Sequence, residues 1–201
     1  YAFTIAAGLS IHLFITLPII FYIFTKYNPL LHFKAILPAM LTAFSTSSSS
    51  ATLPVTMECV EENLGVDKKV TSFVLPIGAT VNMDGTCLYQ AVAVVFLAQL
   101  HMIDLTLGQQ LTIVLTATLA SIGSAAVPSA GLVMLIIVLG SVGLNPAWIA
   151  IIFPVDRILD MFRTVVNVTG DATVSSIIAK GEGMLHYKEP KSASETFDMD
   201  S

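Results

Sequence analysis

Charge is what this chain has least of. Of its 201 residues only 11% are Asp, Glu, Lys or Arg. A soluble domain carries about a quarter. With 55% of the residues hydrophobic, the chain has too little polar surface to cover itself in water, which places it in lipid. Cysteine is as scarce. Cys59 and Cys87 are the only two, both lie in or beside apolar segments, and neither stands at metal-ligand spacing. They read as packing residues, with no disulfide framework and no metal site. A basic patch with interleaved aromatics is missing, so nucleic acid is excluded as a partner. No serine has a nucleophile-elbow context, so hydrolase chemistry has no support and no enzyme is expected. A basic start is missing too, and the opening apolar run is too long for a signal peptide. The chain begins at Tyr1 in mid-hydrophobic sequence, and is expected to be a fragment of a longer protein.

What is there is a series of unequal apolar segments. Residues 1–25 hold no Asp, Glu, Lys or Arg, and at ~1.5 Å per residue they cross a ~30 Å hydrocarbon core. Pro18 is a candidate kink. Residues 26–36 are mixed and interfacial. A segment over 36–58 is broken by the run Ser47–Ser50, and 58–69 are charged. A long helix over 70–103 is interrupted by Asn82-Met83-Asp84-Gly85-Thr86. A segment over 107–142 breaks at the small residues from Ser121 to Ala130. Asn145 and Pro146 supply a cap and a first-turn proline for a last helix over 147–180. The tail, 181–201, is polar and expected to be disordered.

A Ser/Gly-rich break inside hydrocarbon leaves backbone groups unpaired unless it is buried or lines a polar cavity. The segments 36–58 and 107–142 are therefore read as re-entrant helical hairpins. Each stands beside a full span, so together they look like an internal repeat, and paired broken segments point to a transporter's binding site. That topology puts Lys26, Lys34, Lys68, Lys69, Lys180, Lys188 and Lys191 on one side. The opposite loops hold no basic residue. The lysine side, with the C-terminus, is then cytoplasmic.

Asp156, Asp160, Arg163, Asn167 and Asp171 fall on one face of the last helix. Each ionisable group in a membrane costs at least ~2.5–3.5 kcal/mol, so such a stripe needs partners. It either neutralises itself, Asp160 against Arg163 at i,i+3, or lines a ligand and ion pathway. The pathway reading suits five polar groups better. Arg163 can grip a carboxylate with two donors, and Asp160 suits an ammonium. The pair matches a zwitterion with an extra carboxylate. At Asn82–Thr86 the helix is expected to unwind, offering carbonyls and the Asp84 carboxylate to an alkali cation. The alternative there is a simple kink with Asp84 bonded to nearby backbone. His12 and His101 stand alone and read as packing or interfacial residues.

The Ser-rich tip followed by Thr52-Leu53-Pro54, the Asn82–Thr86 motif, the Ala120-Ser-Ile-Gly-Ser124 tip and the run from Asp160 to Asp171 resemble the dicarboxylate/amino acid:cation symporter family, which includes glutamate and aspartate transporters. The resemblance covers nearly all the chain except its tail. It implies an all-α membrane protein: a transport-domain portion with two re-entrant hairpins, a broken helix and an amphipathic last helix. It further implies a homotrimer assembled through an absent scaffold, working by an elevator motion in the cell membrane. By matching position, Asp160 takes the substrate ammonium and Arg163 its side-chain carboxylate. Thr164 and Asn167 contact the main-chain end, with Thr86 nearby and backbone at Ser49 and Val127. One sodium site uses Asp171 with the carbonyls of Gly78, Asn82 and Asn167. A second uses the carbonyls of Thr80, Ser121, Ile122 and Ser124. A third involves Asn82 and Asp84, with its other ligands upstream.

Gln90 stands where animal glutamate transporters carry a proton-accepting Glu. A neutral amide cannot shuttle a proton, which favours plain sodium coupling. Ala126 and Ser129 replace glycines found in some members. The expected function is sodium-coupled symport of glutamate or aspartate, with no cofactor beyond the coupling ion. The alternatives are a proton-coupled glutamate or C4-dicarboxylate symporter and, in another class, an ion channel.

Overall fold

The computed structural model describes residues 1–187, and among these the chain is helical, with no β-sheet. Helix α1, Ala2–Thr25, is long and apolar enough to cross a membrane. It contains one π-helical stretch, His12–Thr16, just before Pro18. Proline lacks an N–H and crowds the preceding turn, and a widened turn accommodates that without breaking the helix.

Helix α2, Pro29–Thr46, begins seven residues before the expected 36. The side chain of Asn28 caps Leu30 N–H at 2.9 Å and Pro29 occupies the first turn. Ser47, in the left-handed region at φ 52°, ends α2. Ser48 then caps α3, Ser49–Glu58, by accepting from Ala51 N–H at 3.1 Å. A π turn, Cys59–Asn63, continues α3, and Asn63 Nδ2 donates back to Ala35 O at 2.8 Å. That bond makes α2 and α3 a helix–tip–helix unit whose limbs run side by side.

Helices α4, Lys68–Val81, and α5, Asp84–Leu100, are the halves of the broken helix. The interruption is two residues, Asn82 and Met83. Helix α6, Leu107–Ile122, starts in a capping box of Thr106 and Gln109. Helix α7, Ala130–Ser141, follows a seven-residue tip, and Thr116 and Ser141 meet across the limbs at 3.1 Å. Asn145 caps the short 3-10 turn Pro146–Trp148, which leads into α8, Ile149–Gly181.

Helix α8 is the spine. It packs against α1, α2, α4, α5 and α7, and eighteen of its 33 residues are buried. The lysine-bearing loops meet at one end: Lys180, closing α8, donates to the Tyr27 hydroxyl at 3.2 Å. At the other end His101 stacks on Trp148 at 3.5 Å. The tail expectation needs correction at its start. Residues 184–186 pair through their backbone with residues 65–67, and Tyr187 stacks on Tyr27. The rest of the expected disordered tail lies outside the described residues. Cys59 and Cys87 are free.

Candidate functional site

The polar stripe of α8 faces inward along its whole length. Asp156, Asp160, Arg163, Asn167 and Asp171 are each no more than 7% exposed. Arg163 is 1% exposed and is held on three sides. Its Nη2 donates to Asp160 Oδ1 at 2.6 Å and its Nη1 to Asp156 Oδ1 at 3.1 Å. The Tyr89 ring of α5 lies against the guanidinium, 3.7 Å from centroid to Cζ, a cation–π contact that strengthens when desolvated. The stripe is thus neutralised in part within itself, as the self-neutralising alternative required. Two carboxylates face one buried guanidinium there, with the half-exposed guanidinium of Arg157 4.0 Å from Asp160 Oδ2.

Asp160 has a second task. Its Oδ2 accepts Ser129 N–H at 2.8 Å. Ser129 sits at φ 60° at the foot of α7, so this bond ties the second tip to α8. The two tips also hold each other. Ser48 Oγ donates to Ala126 O at 2.7 Å, and Ser50 N–H to the same oxygen at 3.3 Å.

Beneath the tips lies a polar cavity lined by Ser47, Ser49, Met83, Thr86, Ser124, Ala125, Ala126, Val127, Gly131, Asp160, Thr164 and Asn167. Six of the seven expected substrate residues line it: Ser49, Thr86, Val127, Asp160, Thr164 and Asn167. Arg163 lies behind Gly131, its Cζ 3.9 Å from where a Cβ on that glycine would stand. The cavity holds ≈ 20 Å³. That is room for about one water, whereas small-ligand pockets begin at about 300 Å³. Entry of anything larger than a water therefore requires the tips to part.

The break between α4 and α5 is fastened to α8 by Asn167. Its Oδ1 accepts Gly85 N–H at 2.8 Å, and its Nδ2 faces Thr86 Oγ1 and Met83 Sδ, both at 3.2 Å. Asn82 Nδ2 donates to Asp171 Oδ1 at 2.9 Å and to Asn167 O at 3.5 Å. A Cβ on Gly78 would stand 2.6 Å from Asp171 Oδ1, so the carboxylate lies directly on the α4 backbone. Gly78, Asn82, Asn167 and Asp171 are thereby brought together. Two acceptor oxygens converge on one amide NH2, and rotating that amide by 180° presents its oxygen instead. The group is a set of hard oxygen donors suited to an alkali cation.

Asp84 follows a similar pattern. Its Oδ1 accepts Gly85 N–H at 2.9 Å and its Oδ2 lies 2.5 Å from His12 Nε2. The first bond is the backbone contact of the kink alternative. The second corrects the reading of His12 as a lone packing residue: α1 brings it onto Asp84 from 72 positions away. Asp84, Asn82, Ser121 and Ile122 line a second cavity of about 380 Å³ with His12, Cys87 and Thr118. Ser124 lines the tip cavity instead. Thr80 stands exposed on α4, its hydroxyl donating to Ile77 O at 3.1 Å, and lines neither cavity.

Asp156 is legible on the polar face of the last helix, at an offset of seven from Arg163, though not as that arginine's partner; Tyr89, His12, Ser48, Ala126 and Ser129 were missed as site residues. These five join the site through contacts between elements distant in sequence. Gln90 is fully buried on α5 and donates to Gly131 O at 3.0 Å.

These features define an all-α protein whose polar machinery is assembled at helix ends and helix breaks inside an apolar bundle. Comparison with known proteins gives that class a family. The sequence profile of the sodium:dicarboxylate symporter family matches residues 1–181, and the chain belongs to that family. It is 54% identical over 178 residues to an excitatory amino acid transporter of Caenorhabditis elegans, covering 89% of this chain and 35% of that protein. It is 54% identical over 180 residues to excitatory amino acid transporter 3 of Homo sapiens, covering 90% of this chain and 34% of that protein. Against excitatory amino acid transporter 1 of Rattus norvegicus the identity is 52% over 178 residues, covering 89% and 33%. The chain thus spans about a third of the length of these relatives. The family is one of membrane transporters, not of enzymes.

Proposed function

We propose that the complete protein is a secondary active symporter that carries glutamate or aspartate across the cell membrane with sodium. One observation carries this reading: buried Arg163 is gripped by two carboxylates, and one of them, Asp160, also holds the second tip. An acidic amino acid has the charges to exchange with this arrangement. Its side-chain carboxylate takes Arg163 Nη2 from Asp160, and its ammonium takes Asp160 in return. Asp160 Oδ2 must release Ser129 N–H to complete the exchange, so substrate entry and tip opening are one event. Arg163 keeps Asp156 and Tyr89 throughout and does not have to reorient. Thr164, Asn167 and Thr86 receive the main-chain end, and the backbones at Ser49 and Val127 close over it.

Sodium is the coupling substrate. Gly78, Asn82, Asn167 and Asp171 hold one ion, and Asn82 and Asp84 contribute to another. The carbonyls of Thr80, Ser121, Ile122 and Ser124 form a further set. Burying an acidic amino acid beside the excess negative charge of Asp156, Asp160 and Asp171 is unfavourable without cations, which is the physical basis of coupling. Gln90, a neutral amide, favours sodium over a proton as the coupled ion.

In this reading the α2–α3 and α6–α7 units are re-entrant hairpins. The lysine-bearing end with the C-terminus is cytoplasmic, and the body rides as an elevator against a scaffold that also makes a homotrimer. The test is uptake of labelled aspartate by the full-length protein in liposomes. Uptake is expected to follow an imposed sodium gradient and to accumulate substrate against its own gradient. Downhill flux alone would indicate a channel. Arg163→Cys is expected to abolish acidic-substrate affinity, and retained affinity would remove Arg163 from its role.

A further inference from the structure

The chain beyond α8 folds back. Gly183, at φ 69°, reverses it, and residues 184–187 run along the connection that joins the first helix–tip–helix unit to α4. Asp67 N–H donates to Met184 O at 3.0 Å, and His186 N–H to Gly65 O at 2.8 Å. Val66 and Leu185 form an antiparallel bridge between those bonds. Tyr187 stacks on Tyr27 with rings 4.1 Å apart and 4° from parallel. Its hydroxyl donates to the carbonyl of Asn28, the cap of α2, at 3.3 Å. Lys180, in the last turn of α8, lies 4.7 Å over the other partner of the stack, Tyr27.

These contacts gather three chain segments at one point: the entry to α2, the exit from α3 and the end of α8. The base of the first unit is therefore closed twice, by Asn63 on Ala35 between its limbs and by the returning chain outside them. The base of the second unit differs. It carries the stack of His101 on Trp148, and no backbone pairing joins it to another element among the described residues. Val66 is 3% exposed, and Met184, Leu185 and Tyr187 pack on the core, so the returning chain is part of the body.

We infer that residues 182–187 are a strap that pins the base of the first unit to the last helix and keeps that unit closed while the second tip opens. This rests on the proposed reading in which substrate entry opens the second tip. A strap with that task stays shut throughout the transport cycle. Its release exposes the cation ligands from the lysine-bearing end, and sodium then crosses without substrate.

The experiment uses the full-length protein in liposomes, with two perturbations. The pair Val66→Cys and Leu185→Cys locks the strap, since directly opposed antiparallel residues stand ~4.5–5.5 Å apart at Cα, within disulfide reach. Peptide mapping identifies the bond despite Cys59 and Cys87. The pair His186→Pro and Tyr187→Ala releases the strap by removing one backbone donor and the ring stack. The locked protein is expected to form the disulfide and to take up aspartate at the rate of its reduced form. The released protein is expected to exchange amide hydrogens over 49–63 about tenfold faster, with α5 unchanged as the folding control, and to leak sodium without substrate. Failure to form the disulfide, a block on oxidation that reductant reverses, or unchanged exchange and leak on release would each overturn the strap. Absence of sodium-driven uptake in the unmodified protein would instead remove the transport reading and leave the exchange comparison intact.

Discussion

Gly78→Ala separates the cation site from the stability of the fold. Gly78 lies inside α4, a regular helix, where Ala is favoured over Gly by about 1 kcal/mol. The added methyl would stand 2.6 Å from Asp171 Oδ1 and 3.1 Å from its Cγ. Ordinary contact begins near 3.4 Å, so the carboxylate must retreat by the difference, 3.4 − 2.6, or about 0.8 Å. Oδ1 is the oxygen that accepts from Asn82 Nδ2 at 2.9 Å, and Asp171 is 3% exposed, so no water replaces the lost partner. A hydrogen bond to a charged group is worth about 1.5–3 kcal/mol. Set against the helix gain, the net loss of stability is only about 0.5–2 kcal/mol.

Cation binding has no such offset. A displaced Oδ1 loses its place in the ligand set, and about 1.5–3 kcal/mol corresponds to roughly a ten- to hundredfold weaker site. The assay is sodium activation of aspartate uptake in liposomes, with thermal unfolding measured on the same preparation. The expected outcome is a large rise in half-activating sodium with a small fall in Tm. An unchanged sodium requirement would refute the placement of a cation between Asp171 and α4.

Substitutions at three further positions probe the other contacts. Gly131→Ala would set a methyl 2.8 Å from Thr86 Cγ2, pushing Thr86 into the tip cavity; it is expected to raise KM for aspartate about tenfold while leaving half-activating sodium near the parent value, the reverse of Gly78→Ala. Ser129→Gly keeps both the left-handed backbone and the N–H that meets Asp160, so uptake should persist. Ser129→Pro can supply neither and should abolish uptake in the same assay. Asp156→Asn preserves an acceptor for Arg163 Nη1 but removes one buried negative charge; aspartate is expected to bind about tenfold more tightly, read from equilibrium binding, and weaker binding would refute the repulsion and show that the Asp156 charge serves to hold Arg163 in place.

Much of this architecture was legible because lipid makes polar residues expensive. The α8 stripe, the Asn82–Thr86 break and the two small-residue tips stand out against an apolar background, and each maps to a helix end or an inward face. The start of α2 was legible in principle. Asn28-Pro29 repeats the cap-plus-proline pattern of Asn145-Pro146, and both asparagines cap the N–H two residues on. Lys26 and Lys34 drew that stretch outside the membrane, although long lysine side chains reach an interface from a helix. The His12–Asp84 contact was not legible, because it depends on how α1 lies against the broken helix. The strap was hidden for a similar reason. Gly65-Val66-Asp67 and Met184-Leu185-His186 are too short to read as strands, and their pairing follows only after α8 has brought its end to Tyr27.

The donors now facing the acidic groups explain how the site remains folded with so much negative charge inside it. Asp171 is met by the Asn82 amide, Asp84 by the His12 imidazole, and Asp160 by the Arg163 guanidinium and the Ser129 amide. Asp84, Asp160 and Asp171 thus each face an N–H donor from another element, while Asp156 faces Arg163 on α8 itself. A cation or an ammonium must displace such a donor to bind. The displaced donors belong to the broken helix, to α1 and to the second tip, whereas the carboxylates of Asp160 and Asp171 stay on α8. Binding therefore works on the elements around α8 and leaves the spine in place. The order of events follows from burial: Asp171 lies at the base of the break, while Asp160 lies under a tip that must open. In the proposed symporter, cations that reach the break first would reduce the repulsion an acidic substrate meets, which would make sodium a condition of substrate affinity as well as a source of driving force.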